Sequence, residues 1–136
     1  DMREGDIAGL CALEGDYGLI GLRREPGGYA LAVLTRVLES DPWIQRADDR
    51  EPGNETASVS VQASIVRVKL CADFSGAAET ASFFWLDGDT WRPLGMPHPL
   101  RYRLDHFVGC RFGLFCFATR ETGGAARFLD FTYTVI

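Results

Sequence analysis

The side chains best equipped for chemistry are the carboxylates, and nearly every one of them stands where a turn is expected. Cleaving a glycosidic bond takes two carboxyl groups that flank it, which a β-sandwich would mount on facing strands. Here Asp87 and Asp89 bracket a glycine, Asp48, Asp49 and Glu51 share a polar stretch, and Asp105 and Asp130 fall near strand ends. This pattern assigns no catalytic residue. Ser, His and Asp follow no triad order, and neither a Gly-rich phosphate loop nor a G-x-S-x-G elbow occurs. Asp105 and His106 read as hydrogen-bonded neighbours rather than half of a relay.

Flat apolar rings offer a second kind of chemistry, the stacking of pyranose rings. Trp43, Trp85 and Trp91 are the candidates for binding an oligosaccharide, with Tyr17, Tyr29, Tyr102 and Tyr133 behind them. In a small sandwich most aromatics fill the core, so Trp43, in a polar loop, is the one expected to face a ligand. Asp87 and Asp89 are weak candidates for a structural cation such as calcium, which takes oxygen ligands from turns. A solvated turn is the preferred reading, and no other cofactor is implied. Cys11, Cys71, Cys110 and Cys116 form no C-x-x-C pair, and His98 and His106 add no metal-ligand spacing, which argues against zinc. Cys110 and Cys116, six apart in one expected strand, are separated by about 20 Å and cannot bridge. A Cys11 to Cys71 bridge stays open, but buried thiols acting as small hydrophobes are the preferred reading.

These residues need a scaffold, and the 136 residues, 46% hydrophobic and 24% charged, are in the range of one globular domain over 1–136. A net charge of -5 with scattered basic residues excludes a nucleic-acid footprint, and Arg23-Arg24 alone is too little. Apolar stretches such as Phe112 to Ala118 stop well short of the roughly 20 residues that span a bilayer. Starting at Asp1 without Met or leader, the sequence reads as a processed product or a fragment, from either the cytoplasm or a secreted protein. Thirteen Arg against one Lys suggest a GC-rich, bacterial genome.

Short apolar runs punctuated by Gly, Asp and Pro predict an all-β chain with little helix. Ile7 to Leu13 and Tyr17 to Leu22 flank Glu14-Gly15-Asp16, a hairpin connection. Tyr29 to Leu38 reads as a strand after the Pro26-Gly27-Gly28 turn, and Ser40 to Thr56 as a long solvated loop. Strict alternation puts Val59, Val61, Ala63 and Ile65 on one face. The parity then flips through Val66, Val68 and Leu70, which predicts a bulge or tight turn near Ser64 to Ile65. Thr80 to Leu86 and Trp91 to Leu94 flank a turn centred on Asp87-Gly88. Phe107 to Thr119, apolar on both faces, reads as a central strand, followed by a strand over Ala126 to Ile136.

Several blocks, in order, are similar to one known domain: Gly5 to Leu10, Tyr17 to Gly21, Phe84 to Gly88 with Trp91 and Leu94-Gly95, Leu104 to Phe115, Thr119 with Gly123-Gly124, and Phe128 to Phe131. Together they resemble the concanavalin A-like C-terminal domain of family 43 glycoside hydrolases, which include β-xylosidases and arabinofuranosidases. The resemblance implies an antiparallel two-sheet, jelly-roll sandwich packed against a catalytic β-propeller, with the catalytic carboxylates on the propeller. It implies a non-catalytic accessory role on xylan-type or arabinose-containing oligosaccharides, in which the domain shapes the sugar pocket. A carbohydrate-binding module and a self-sufficient sandwich hydrolase are the competing readings. In that family an opening set of strands usually precedes the Gly5-Asp6 block. The sandwich is therefore expected to show an unpaired edge that another segment or chain covers.

Overall fold

The computed structural model describes residues 1–37, 53–101 and 109–135. Trp43, Asp48, Asp49, Glu51, Tyr102, Asp105 and His106 lie outside the described residues, as does most of the expected long loop. Nine strands and no helix are found among the described residues: β1 (Asp6–Glu14), β2 (Asp16–Glu25), β3 (Gly28–Arg36), β4 (Asn54–Val61), β5 (Val68–Asp73), β6 (Thr80–Asp87), β7 (Thr90–Pro93), β8 (His98–Pro99) and β9 (Arg111–Ala118). They form two antiparallel sheets. The first runs β4-β3-β2-β1-β9; the second runs β5-β6-β7, with β8 continuing along the β7 side of β6. The expected two-sheet sandwich is the fold observed.

Turn chemistry sets the first sheet. Gly15 (φ 81) caps the β1–β2 hairpin, in which Leu13 pairs with Tyr17, as the sequence predicts. Pro26 and Gly27 (φ 79) make the β2–β3 turn, since proline presets its own φ and glycine alone takes the positive one without strain. Cores form on both faces of this sheet. Facing β5 and β6, Ala12, Ile20 and Val33 meet Ala81, Phe83 and Leu100, while Leu22, Leu31 and Val61 gather Trp85 and Val68. On the outer face Ile7, Leu19, Ala32 and Leu34 are buried with Phe115 and Phe117. Glycine makes this packing feasible, because a Cβ on Gly21 would come within 2.8 Å of the Phe115 ring.

Six expectations are corrected. The parity flip after Val61 is no bulge in a continuous strand: the chain leaves the first sheet at Val61 and enters the second at Val68. Ala63 is accordingly exposed, and Ile65 is 71% exposed. The real irregularity is at Thr56, an extra residue between the Val33–Ala57 and Leu34–Glu55 pairs, and Asn54 to Thr56 belong to β4 rather than to the loop. The β6–β7 turn is centred on Gly88-Asp89, because Asp87 already pairs with Thr90. β9 lies at the edge of its sheet; β1, β2 and β3 fill the middle. Residues 126–135 pair with no strand among the described residues. The sixth concerns thiols: all four cysteines are free, but Cys71 and Cys116 are exposed and only Cys11 and Cys110 are half-buried.

Candidate functional site

Alternation along β6 decides where two of the candidate tryptophans point. Trp85 turns inward and packs with Leu22, Leu31 and Val61, so it is core. Trp91 pairs with Leu86, the residue after Trp85, and therefore projects from the opposite, outer face, 39% exposed. The two do not form one aromatic row. Beside Trp91 the chain's single lysine, Lys69, holds its ammonium 4.7 Å from the Trp91 ring centroid and 4.9 Å from that of Phe84. A cation over two ring faces is an electrostatic clamp across β5, β6 and β7. Tyr29 is occupied in the same way by Arg24, at 4.8 Å, and Tyr17 packs into the outer-face core.

The acidic side chains are mostly committed to structure. Asp87 Oδ2 accepts from Arg92 Nε at 2.6 Å, so an arginine already neutralises one of the two cation candidates. Asp89 sits exposed at the tip of that hairpin. Glu25 and Glu55 share Arg23, which holds the Glu55 carboxyl below its ordinary value, with help from Ser58. With Arg24 stacked on Tyr29, neither arginine of the basic pair is left for phosphate.

A buried polar cluster at the β1–β2 turn is the part sequence reasoning missed. Glu14 and Asp16 are 4% and 1% exposed and face each other across Gly15. Packed over Gly18 and against Phe83 is His98, 2% exposed, whose Nδ1 and Nε2 find no hydrogen-bond partner among the described residues. Burial pushes the imidazole below its ordinary value and Arg101 adds to this, while the Asp16 charge pulls it up. Burial likewise raises the neighbouring Cys110 thiol to about 11, reinforced by Glu14. Glu-Gly-Asp carries the grammar of a solvated turn, so no local signal marked these carboxylates as interior. They share a face at cross-strand distance, yet their burial keeps any glycosidic bond from reaching between them. The open groove near this end, about 410 Å³ between Gly76–Glu79 and Pro99–Arg101, is lined by no aromatic ring among the described residues.

Among the described residues the geometry thus supplies a sandwich with interior carboxylates and one exposed tryptophan. The sequence matches the family described as the β-xylosidase C-terminal concanavalin A-like domain over residues 1–134. The chain belongs to that family. Among solved structures, a bifunctional GH43-CE protein of Bacteroides eggerthii is 30% identical with a TM-score of 0.74, over 90% of this chain and 14% of that one. A GH43 glycoside hydrolase engineered to display both endo-xylanase and exo-arabinofuranosidase activity is 22% identical with a TM-score of 0.73, over 90% of this chain and 25% of that one. A GH43_12 protein retrieved from the capybara gut metagenome is 14% identical with a TM-score of 0.60, over 85% and 21%. The last two bear on the fold alone. No curated protein sequence gives a match. This family domain therefore spans a quarter or less of each solved chain it resembles.

Proposed function

We propose that this chain is a non-catalytic accessory domain of a family 43 glycoside hydrolase, packed on the catalytic propeller and shaping a sugar pocket for xylan-type or arabinose-containing oligosaccharides. The observation that carries the reading is the family match across residues 1–134, on a fold whose paired carboxylates are interior. The larger size of the similar solved chains supports a catalytic partner in the same polypeptide. The family's description as a β-xylosidase C-terminal domain supports the substrate class. No cofactor is needed for this role. Calcium at Asp87 and Asp89 is the weaker option, because Arg92 already balances Asp87.

The test has two arms. The chain alone is assayed on aryl β-xylosides and aryl arabinofuranosides, with no turnover expected; hydrolysis above background would refute the accessory reading. The full-length glycosidase is then compared with a form lacking these residues, and a loss in kcat/KM on short xylo-oligosaccharides is expected.

A second reading, direct glycan capture, is favoured by one feature, the exposed Trp91 ring on the outer face of the second sheet. Calorimetric titration with xylotetraose and arabino-oligosaccharides decides it. Saturable heat that disappears in Trp91→Ala makes the chain a binding module, and no heat from a folded sample leaves it an accessory domain.

A further inference from the structure

The outer face of the second sheet carries positive charge in a chain whose net charge is -5. The register aligns two rows across it: Lys69 pairs with Phe84 and Phe84 with Pro93, while Leu86 pairs with Trp91. Leu86 N donates to Arg67 O at 3.0 Å, which extends the second row to Arg67. Alternation sends these side chains away from the core, because Val68, Phe83 and Trp85 between them face inward.

No carboxylate belongs to either row. Asp87 turns to Arg92, and Asp73, at the far end of β5, accepts from Ser75. Arg67 meets Asp130 at 3.6 Å, but both side chains are highly exposed and such a pair holds little. Lys69 has two rings for neighbours and no acid among the described residues. Trp91 keeps 39% of its surface exposed with that ammonium already against it.

Three strands about 4.8 Å apart and two rows two residues apart make a platform of about 10 Å by 7 Å. That matches one or two pyranose rings and falls far short of the roughly 600 Å² at the low end of interfaces between domains. An apolar ring face suits the C–H face of a sugar, and the adjacent ammonium and guanidinium suit a carboxylate.

We propose that this platform binds an acidic glycan, a xylan-type chain bearing uronic acid residues, with a neutral sugar stacked on Trp91 and the uronate carboxylate on Lys69, next to Arg67. This rests on direct glycan capture, the second reading of the function, and specifies the class of glycan. Because no acid among the described residues competes for Lys69, the uronate displaces water and part of a ring contact rather than an ion pair.

Calorimetric titration of the 136-residue chain, shown to be folded by a cooperative unfolding transition, compares xylotriose bearing one glucuronic acid residue with neutral xylotetraose. The acidic ligand is expected to bind at least about tenfold more tightly, the worth of one charge-assisted contact. Lys69→Gln should erase that preference, Lys69→Arg should retain it, and Trp91→Ala should abolish binding of both ligands. Equal affinities overturn the uronate assignment and leave glycan capture standing, whereas no heat from either ligand overturns both. Poly-glutamate bound as tightly as the acidic ligand means a general anion patch, which also overturns the assignment. Affinity electrophoresis of the full-length protein is a check that does not require the short chain to fold. It runs through glucuronoxylan and through the same polymer with its carboxyl groups reduced to alcohols. Stronger retardation by the unreduced polymer, lost in Lys69→Gln, is expected; equal retardation by the two polymers overturns the assignment.

Discussion

Gly124 lies against Asp6 so closely that a Cβ on it would stand 1.7 Å from Asp6 Oδ2 and 3.0 Å from the Arg3 amide nitrogen. Asp6 Oδ2 accepts from that amide at 2.6 Å, and Gly123 before it (φ 104) carries the Arg3 guanidinium above it. The N-terminal turn and the approach to residue 125 are thus one contact. Gly124→Ala is expected to cost about 1–3 kcal/mol, the range of an overpacked site. Gly28→Ala, with open space at the Cβ and an ordinary φ, should be neutral or slightly stabilising. Urea unfolding of the two variants makes the comparison, and equal midpoints would contradict it.

Stability should fall with acid through His98. Its folded value is depressed, so the unfolded chain binds the proton more readily. The contribution is therefore present above the ordinary histidine value of about 6.5 and lost as pH drops below it. Asp16 opposes the depression and Arg101 supports it, with burial the largest influence. Unfolding midpoints at pH 7.5 and 5.5 measure the slope. In His98→Phe that slope should flatten, and an undiminished slope would assign it to another group.

Cysteine reactivity should split into two classes. Cys71 and Cys116 are exposed, whereas burial raises the thiols of Cys11 and Cys110, the latter to about 11. The thiolate is the nucleophile, so iodoacetamide at neutral pH should label Cys71 and Cys116 first. Peptide mass spectrometry over a time course reads the order, and early labelling of Cys110 would show that the β1–β2 end of the sandwich opens readily.

Removing the clamp on Trp91 should be measurable but modest. Lys69→Ala loses contacts to two rings at a partly exposed site, about 1 kcal/mol, and leaves Trp91 more hydrated. A red shift in tryptophan emission with a small drop in the urea midpoint is expected. A stability loss of several kcal/mol would mean that Lys69 serves the core rather than the surface.

What the sequence made legible follows from how local each signal was. Gly15 and Pro26-Gly27 dictate their turns through φ alone, so the β1–β2–β3 meander could be read directly. Residues 58–65 defeated the reading, because alternation is blind to which sheet a strand joins, and the change of sheet after Val61 looks like a bulge. β9 carries apolar residues on both faces as a central strand would, yet one face covers Gly21, and on the other Phe112 packs on the inner core while Leu114 stays exposed. The Glu14, Asp16 and His98 cluster was invisible since turn grammar says nothing of burial. Trp85 was separable from Trp91 only once the β6–β7 register was fixed.

The pairing of β1 with β9 joins Asp6 to Ala118 across almost the whole chain, while the other neighbour of β1, β2, is next to it in sequence. Local hairpins close in microseconds, but distant strands wait for the loop between them to be ordered. During synthesis the β1 to β4 meander can therefore form early with Ile7 and Ala8 still uncovered, and β9 seals them only after residue 118 has left the ribosome. Closure of β9 on β1 is therefore expected to be the late step of folding, and slowing the arrival of β9 should raise the aggregated fraction more than any surface substitution.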